Sequence, residues 1–202
     1  MKYPIEKYRI IYSRFAAVAV AFMLCVTGSR WEAKNEIVTF GLFLVGMVLV
    51  AIASLGRMWC SLYIAGYKNK QLITQGPYSL CRNPLYLFSL IGVVGVGLAT
   101  ETFTYPILFT VFYLVYYPFV VTGEEKRLRE LFGAEFDDYS RKTPKIIPDF
   151  HGFIEPKSYI VNPRIYRRHI FSALWFVWIV GFLEVLEGLR EIGLLPEIWS
   201  LY

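Results

Sequence analysis

Residues Ile37–Leu55 read IVTFGLFLVGMVLVAIASL, a run of nineteen residues without a charged side chain. A helix that crosses the hydrocarbon layer of a membrane, about 30 Å thick, needs roughly 20 mostly apolar residues. A helix satisfies its backbone hydrogen bonds internally, as an apolar solvent requires. This run therefore predicts a transmembrane helix, and with it a membrane protein.

Further apolar stretches occur on both sides of this run. They are Ile10–Thr27, Leu85–Ala99 with its flanks, Tyr105–Thr122 and Ile170–Leu186. The break at Thr100–Thr104 is so short that the stretches on either side of it predict a helical hairpin. With 56% hydrophobic residues and a mean hydropathy of +0.45, the 202-residue chain is too apolar for an ordinary soluble domain. We predict an all-α, polytopic membrane bundle of about five transmembrane helices, forming a single domain over residues 1–202.

The basic residues are distributed unevenly around these five stretches. Eighteen of the 21 Lys and Arg residues lie before or at the start of the first stretch, between the second and third, or between the fourth and fifth. The other three are Arg30, Lys34 and Arg190. Because cytoplasmic loops carry an excess of Lys and Arg, the N-terminus and the loop 123–169 are predicted to be cytoplasmic and the C-terminus external. No small-residue cleavage site follows the long first stretch, so we expect an uncleaved span. The expected location is the cell inner membrane or an equivalent one.

Charge and cysteine usage point away from several classes of partner. The pI of about 9.0 is explained by basic loops beside anionic lipid head groups, so no nucleic acid is expected. Cys25, Cys60 and Cys81 lie on different segments without paired metal-ligand spacing, which predicts neither a disulfide nor a zinc site. With only His151 and His169 available, no metal cofactor is expected. The expected partner is the lipid bilayer itself.

Two segments between the apolar stretches have an intermediate character. Gly56–Asn83 contains Trp59, Tyr63 and Tyr67, which predict an interfacial or partly inserted segment before the third span. Gly123–Tyr139 has apolar residues at helical spacing, which predicts an amphipathic helix that continues span four into the cytoplasm. Those apolar residues are Leu128, Leu131, Phe132 and Phe136, and Pro144 and Pro148 are expected to end the helix. Residues 149–202 then comprise a cytoplasmic loop, the fifth span and an outer interfacial tail.

Two polar motifs flank the predicted hairpin. The first is Gly76-Pro77-Tyr78-Ser79-Leu80-Cys81-Arg82-Asn83-Pro84-Leu85-Tyr86, and the second runs from Glu124-Glu125 through Leu128 and Phe132-Gly133 to Tyr139. Together they resemble the isoprenylcysteine carboxyl methyltransferase and phospholipid methyltransferase family of integral membrane enzymes. The resemblance covers about Gly56 to Pro148, and it is specific because both motifs occur in order. It implies a cofactor-binding methyltransferase-like core over residues 56–148.

The resemblance implies a cofactor and a set of residues to bind it. Family members bind S-adenosylmethionine near the cytoplasmic face and release S-adenosylhomocysteine. A methionine ammonium attracts a carboxylate such as Glu124, and a methionine carboxylate attracts an arginine such as Arg82. The expected cofactor-binding residues are Gln71, Leu72, Ile73, Tyr78, Arg82, Asn83, Tyr86 and Glu124.

Two positions depart from the family pattern. Asn83 stands where the family usually has a histidine, so any role that needs a cation at this position is lost. Val120 stands where isoprenylcysteine enzymes are expected to have an arginine for the substrate, with Tyr116 and Tyr117 shortly before it. A carboxylate substrate would lack its cationic partner there. Tyr116, Tyr117 and Val120 are the substrate-side candidates. The absence of an arginine at position 120 puts the isoprenylcysteine substrate in question.

The expected reaction is an in-line displacement, in which a lipid-like or prenylated acceptor attacks the methyl group of S-adenosylmethionine. No catalytic residue is assigned, and Glu125 would act as a base only if the acceptor is an amine. Three alternatives stay open: a sterol-type membrane reductase that uses NADPH, a membrane binding protein without catalysis, and a structural bundle. In the last case Glu124 and Glu125 would only be a solvated helix segment. The glycines at 92, 95 and 97 are expected to serve close helix packing and not a phosphate loop.

Overall fold

The computed structural model describes residues 19–67 and 69–202. Its elements are α1 (described over residues 19–26), β1 (Thr27–Ser29), α2 (Glu36–Ile64), α3 (Pro77–Leu80), α4 (Pro84–Leu98), α5 (Thr104–Phe132), α6 (Ala134–Lys142), α7 (Pro163–Ala173), α8 (Trp175–Glu191) and β2 (Trp199–Leu201). A 3-10 turn covers Phe150–Gly152. Most of the predicted first span, the basic residues before it, and Lys68 lie outside the described residues.

Three of the described helical stretches are long and apolar enough to cross a membrane. They are α2, α5 and Pro163–Glu191, which combines α7 and α8. Large hydrophobic side chains such as Phe40 and Phe119 lie exposed along α2 and α5, as contact with lipid requires. The all-α membrane bundle is confirmed. Helix α4 is apolar but has only 15 residues, so the count of five spans and their orientation stay predictions.

Helix α2 is longer than the sequence predicted. It begins at Asn35, whose side chain accepts hydrogen bonds from the backbone N–H groups of Ile37 and Val38, and it continues to Ile64. Residues 56–64, predicted to belong to an interfacial or partly inserted segment, therefore continue α2, and their depth in the membrane stays a prediction. Nothing between these positions breaks a helix, since Gly56 only makes room for the ring of Phe88. Arg57 consequently lies inside the bundle and not in a loop.

Helices α2 and α4 pack closely through glycine. A Cβ atom on Gly46 would lie 2.7 Å from the carbonyl oxygen of Gly95, and one on Gly95 would lie 2.9 Å from the carbonyl oxygen of Gly46. Gly92 makes room for the ring of Phe176 on α8, and Gly97 for the backbone of Pro106. Small residues let helix backbones approach where no hydrophobic effect drives association. The expected packing role of the α4 glycines is confirmed.

A two-stranded parallel sheet joins the C-terminal segment to β1, with Thr27 opposite Trp199 and Ser29 opposite Leu201. The carbonyl oxygen of Tyr202 accepts hydrogen bonds from the backbone N–H groups of Phe103 and Thr104, at the turn between α4 and α5. The sequence did not predict these strands. Three residues are too few to show the alternating pattern of a strand, and the pairing partners are far apart in the chain.

Helix α5 continues beyond its apolar part to Phe132, as the amphipathic pattern predicted. Gly133 then adopts a φ of 51°, and a separate helix, α6, runs from Ala134 to Lys142. A positive φ is readily adopted by glycine and ends an α-helix. The single helix expected over 123–139 is therefore two helices, and the change of direction brings Tyr139 back toward the first motif.

Candidate functional site

The two motifs meet at one end of α4 and α5. The first motif forms α3, the loop Cys81–Asn83 and the first turn of α4, which starts at Pro84. Pro77 and Pro84 each occupy the first turn of their helix, where the missing N–H is not needed. Gly76 has a φ of 60°, and a Cβ there would lie 2.3 Å from the ring of Tyr63. Only glycine fits that turn.

A direct hydrogen bond connects the motifs. The Tyr86 hydroxyl donates to Oε2 of Glu124 over 2.7 Å. The Tyr113 hydroxyl donates to the backbone carbonyl of Tyr86 over 2.8 Å, and the ring of Tyr117 contacts the ring of Tyr86 edge-on at 5.2 Å. The Tyr117 hydroxyl is buried and has no hydrogen-bond partner among the described residues. Glu124 is thus oriented by α4 and sits beside a polar group that lacks a partner.

Glu125 makes a different set of contacts. Its Oε1 accepts a hydrogen bond from Nε of Arg82 over 3.1 Å, and its Oε2 lies 3.5 Å from Nζ of Lys145. The Asn83 side-chain amide donates to Oε1 of Glu125 over 3.4 Å and to the carbonyl of Lys145 over 3.1 Å. The Arg82 and Glu125 side chains are 14% and 15% exposed, so this ion pair is largely removed from water. Both oxygens of Glu125 are therefore engaged within the protein.

Arg82 also holds the loop that follows α6. Its guanidinium donates to the backbone carbonyls of Ser140 and Thr143, and its backbone N–H donates to the carbonyl of Pro144 over 2.8 Å. Arg82 was expected to bind the cofactor carboxylate. With these contacts it connects the start of α4, the C-terminal part of α5 and the segment after α6, and it also lines the cavity described below.

A small hydrophobic cluster connects α6 to the first motif. Leu72 packs with Phe136 and Tyr139 of α6, and the Tyr139 hydroxyl donates to the Tyr78 carbonyl over 2.7 Å. Burial raises the pKa of the Tyr78 and Tyr139 phenols, and it raises the pKa of the Cys81 thiol to about 11. All three groups therefore remain protonated near neutral pH, so they can donate hydrogen bonds but carry no charge.

The other predicted residues lie around this centre at different depths. Gln71 is exposed, while Ile73 and Val120 are half-buried. Tyr117 is buried against Tyr86, whereas Tyr116, its neighbour on α5, is 45% exposed on the outside of the bundle. Adjacent helical residues point about 100° apart, so the two tyrosines cannot serve the same side of the site.

Sequence reasoning missed Tyr113 and Lys145. Tyr113 stacks on Tyr117 with the ring centroids 5.4 Å apart. A signal for Tyr113 was present, because it precedes Tyr117 by four residues and so lies on the same face of α5. No comparable signal existed for Lys145, since it reaches Glu125 only through the fold of the segment after α6.

A cavity of about 660 Å³ adjoins Arg82. Its lining includes Arg82, Arg141, Lys142 and His151, with Asp149 as an acidic neighbour. The basic residues of this cavity favour an anionic group of a ligand, and Glu124, which does not line the cavity, favours a cationic one. This donor set fits the carboxylate and the ammonium of a bound methionine moiety. Among the described residues, no group of three or more His, Cys, Asp or Glu side chains is arranged to hold a metal ion.

Comparison with known proteins adds independent information. Residues 35–135 match the sequence profile of the family described as phospholipid methyltransferase. The chain is 36% identical to the nickel-cobalt-cadmium resistance protein NccN of Alcaligenes xylosoxydans xylosoxydans, over 89% of this chain and 83% of that protein. It is 32% identical to the cobalt-zinc-cadmium resistance protein CzcN of Cupriavidus metallidurans, over 98% of this chain and 90% of that protein.

A more distant similarity connects the chain to a protein-S-isoprenylcysteine O-methyltransferase of Schizosaccharomyces pombe. The two are 30% identical over 42% of this chain and 37% of the yeast enzyme. No solved structure matches the chain significantly. The profile match covers α2, α4 and α5, and therefore both carboxylates of the second motif.

Proposed function

The chain belongs to the phospholipid methyltransferase family, and from that premise we propose that it transfers the methyl group of S-adenosylmethionine to a lipid-like acceptor in the membrane. The observation that carries this proposal is the hydrogen bond from Tyr86 to Glu124. It joins the two family motifs beside the buried, unpartnered hydroxyl of Tyr117, and Arg82 of the first motif also lines the basic cavity.

The proposed roles follow from the charges and contacts of these residues. Glu124 would bind the ammonium of the cofactor, and Tyr86 would hold the carboxylate in the orientation for that bond. Arg82 and the basic cavity would receive its carboxylate. Tyr78, Asn83, Gln71, Leu72 and Ile73 complete the proposed cofactor-binding set. Leu72 packs against Tyr139, and the Tyr139 hydroxyl donates to the carbonyl of Tyr78, so Tyr139 supports this side of the proposed site.

Bound S-adenosylmethionine supplies a methyl group that its positive sulfonium has already activated. The protein therefore has mainly to align the acceptor with that methyl group and to exclude water. The stacked rings of the half-buried Tyr113 and the buried Tyr117 close the site toward the bundle. Tyr117 and Val120 stay substrate-side candidates, whereas the exposed Tyr116 can meet only a ligand that arrives from the lipid.

Glu125 is a poor candidate for a general base. A base must be free to receive a proton, but both oxygens of Glu125 are held by Arg82, Asn83 and Lys145. Those contacts leave neither carboxylate oxygen free to face an acceptor. We therefore propose that Glu125 supports Arg82 and Asn83, and that the acceptor attacks without a protein base.

The choice of cofactor can be tested directly on purified protein in detergent. A ligand that binds only the folded state raises the apparent stability by mass action, by about 2.7 kcal/mol at a hundredfold excess over its dissociation constant. S-adenosylhomocysteine is therefore expected to raise the melting temperature, and NADPH is not. A shift with NADPH and none with S-adenosylhomocysteine would support the reductase alternative instead.

The two near-full-length relatives also suggest a physiological setting. Both are named for resistance to divalent metal ions, and their similarity extends over almost the whole chain, beyond the residues matched by the family profile. We propose that this protein contributes to resistance against cobalt and cadmium, the two metals common to both names, by methylating a membrane component.

That setting predicts a growth phenotype that depends on methyl transfer. In a strain lacking this protein, the wild-type gene is expected to restore growth on cobalt or cadmium, and Glu124→Gln is not. Glu130→Gln, an exposed carboxylate on the same helix, is the matched control and should restore growth. If Glu124→Gln restores growth as well as the wild type does, resistance does not require the proposed site.

A further inference from the structure

Arg57 is a cation inside the bundle that the proposed methyl-transfer site does not use. It lies on α2, and its guanidinium donates to the hydroxyl oxygen of Ser89 on α4 and to that of Ser172 on α7, the latter over 3.4 Å. The guanidinium carbon also lies 5.6 Å from the ring centre of Phe176 on α8. Four helices therefore surround one positive charge.

The charge of Arg57 is not neutralised by the described residues. Their ion pairs involve other side chains, and the Nε atom of Arg57 is buried without a hydrogen-bond partner. A guanidinium has five N–H donors, and two serine hydroxyls satisfy only part of them. Ionisable residues within membrane spans are costly and usually face a partner or a ligand path. Arg57 thus has unmet capacity for an anion.

An aromatic groove begins at one of these serines. A cavity of about 580 Å³ is lined by Arg168, Phe171, Ser172, Trp175 and Trp178. Phe171, Trp175 and Trp178 are each about two-thirds exposed on the outside of the bundle, where lipid is expected. Ser172 lines the groove and also accepts a hydrogen bond from the half-buried Arg57, so the apolar groove and this cation share one residue.

We propose that this place binds an anionic amphiphile, with its carboxylate or phosphate at Arg57, Ser89 and Ser172 and its hydrocarbon chain along Phe171, Trp175 and Trp178. Charge complementarity selects the head group, because a neutral or cationic one would leave Arg57 uncompensated. The groove selects the chain, because aromatic side chains exposed beside lipid present an apolar surface.

The position of this subsite also bears on the acceptor, an extension that rests on the proposed function. Ser89 is three residues from Tyr86 on α4, a rise of about 4.5 Å. Tyr113 lies close to both Arg57 and Ser89 and donates to the carbonyl of Tyr86. The head group of an acceptor held at Arg57 and Ser89 would therefore lie about one turn of α4 from Tyr86, while its chain stays in the groove. Arg57 would supply the cation that Val120 does not.

Tryptophan quenching tests the subsite without any methyl transfer. Dibromostearate and its uncharged methyl ester carry the same quenching chain, so they differ only in the head group. In neutral detergent, the acid is expected to quench the wild-type protein at a roughly tenfold lower concentration than the ester, the order of one charged hydrogen bond. Arg57→Met should reduce that preference to less than threefold. Hexadecyl phosphate should compete with the acid if the site accepts phosphate as well as carboxylate.

Control variants separate the subsite from simple surface attraction. Arg168→Gln removes an exposed cation from the same groove and should keep the preference for the acid. A Trp175→Phe/Trp178→Phe variant should lose most of the preferential quenching, which would locate the chain independently of Arg57. Equal quenching by acid and ester in the wild type, or a preference that survives Arg57→Met, would overturn the proposal. If Arg57→Met does not fold, the proposal is tested by the preference of the wild type for the acid over the ester and by the loss of that preferential quenching in the Trp175→Phe/Trp178→Phe variant.

The same samples distinguish this inference from the proposed function. Stabilisation by S-adenosylhomocysteine is measured on the wild type and on Arg57→Met. Preferential binding of the acid without stabilisation by S-adenosylhomocysteine would leave the anion subsite standing and refute the methyltransferase proposal. Stabilisation by S-adenosylhomocysteine without a preference for the acid would support the methyltransferase proposal and refute the anion subsite.

Discussion

Replacing Glu124 by glutamine is expected to weaken the binding of S-adenosylmethionine by about 10- to 100-fold. A hydrogen bond to a charged group contributes about 1.5–3 kcal/mol, and glutamine keeps the size of the side chain while removing its charge. The Tyr86 hydroxyl would still have an amide oxygen to donate to, so the effect should fall on the cofactor and not on the fold. Calorimetric titration of the purified variants in detergent measures this directly.

Glu125→Gln is the informative comparison for that experiment. Glu125 is adjacent in sequence but faces Arg82 and Lys145, and we expect its replacement to leave the affinity for the cofactor within a few-fold. Two equivalent solvated glutamates would instead give small and similar effects. Equal affinities for the wild type and Glu124→Gln would show that this carboxylate does not bind the cofactor.

Arg82→Met is expected to cause the largest loss of stability, about 3 kcal/mol. Removing one partner of a buried ion pair typically costs 3–5 kcal/mol, because the other charge stays behind without compensation. Here Lys145 still neutralises part of the charge on Glu125, which favours the lower end of that range. The carbonyls of Ser140 and Thr143 also lose their donor. On the scale of soluble domains of this size, the melting temperature should fall by about 6–12 °C.

An exposed ion pair on the same part of the chain provides the control. Arg129 on α5 and Asp137 on α6 are joined by a bond of 2.8 Å, but their side chains are 55% and 50% exposed. Exposed pairs contribute about 0–1 kcal/mol, so Arg129→Met should lower the melting temperature by only a few degrees. Melting curves followed by circular dichroism would compare the two variants. Equal losses would mean that burial of the Arg82–Glu125 pair has no energetic consequence.

The sequence predicted the helices well where one physical rule governs them. Long apolar runs such as Ile37–Leu55 can only be helical in a membrane, and α2 and α5 follow that rule. The sequence was less informative about where the helices end. The residues beyond Leu55 are polar enough to suggest a loop, yet α2 continues to Ile64 because Arg57 and Ser61 find partners or space inside the bundle. Hydropathy values are assigned residue by residue, so they contain no information about such tertiary partners.

In the candidate site, too, some features were predicted from the sequence and others were determined only by the tertiary structure. Glu124, Tyr86 and Arg82 were predicted from two short motifs and the family that these motifs resemble, and the charges of Glu124 and Arg82 also suit a zwitterionic cofactor. Which of the two adjacent glutamates contacts Tyr86, and which one pairs with Arg82, depends on how α4 and α5 are rotated against each other. Lys145 was found only through that arrangement, whereas the helical spacing of Tyr113 and Tyr117 was present in the sequence but was missed.

What the sequence determined by itself was the membrane class, the two motifs and the family that they resemble, because hydropathy and motif spacing are properties of short segments. The tertiary structure decided which partners Glu124 and Glu125 have, the strand pair at the C-terminus and the placement of Arg57 beside Ser89 without an acidic partner among the described residues. Each of these depends on contacts between residues more than 30 positions apart. Such contacts are set by close helix packing at glycines such as Gly46 and Gly95, and local sequence patterns do not specify them.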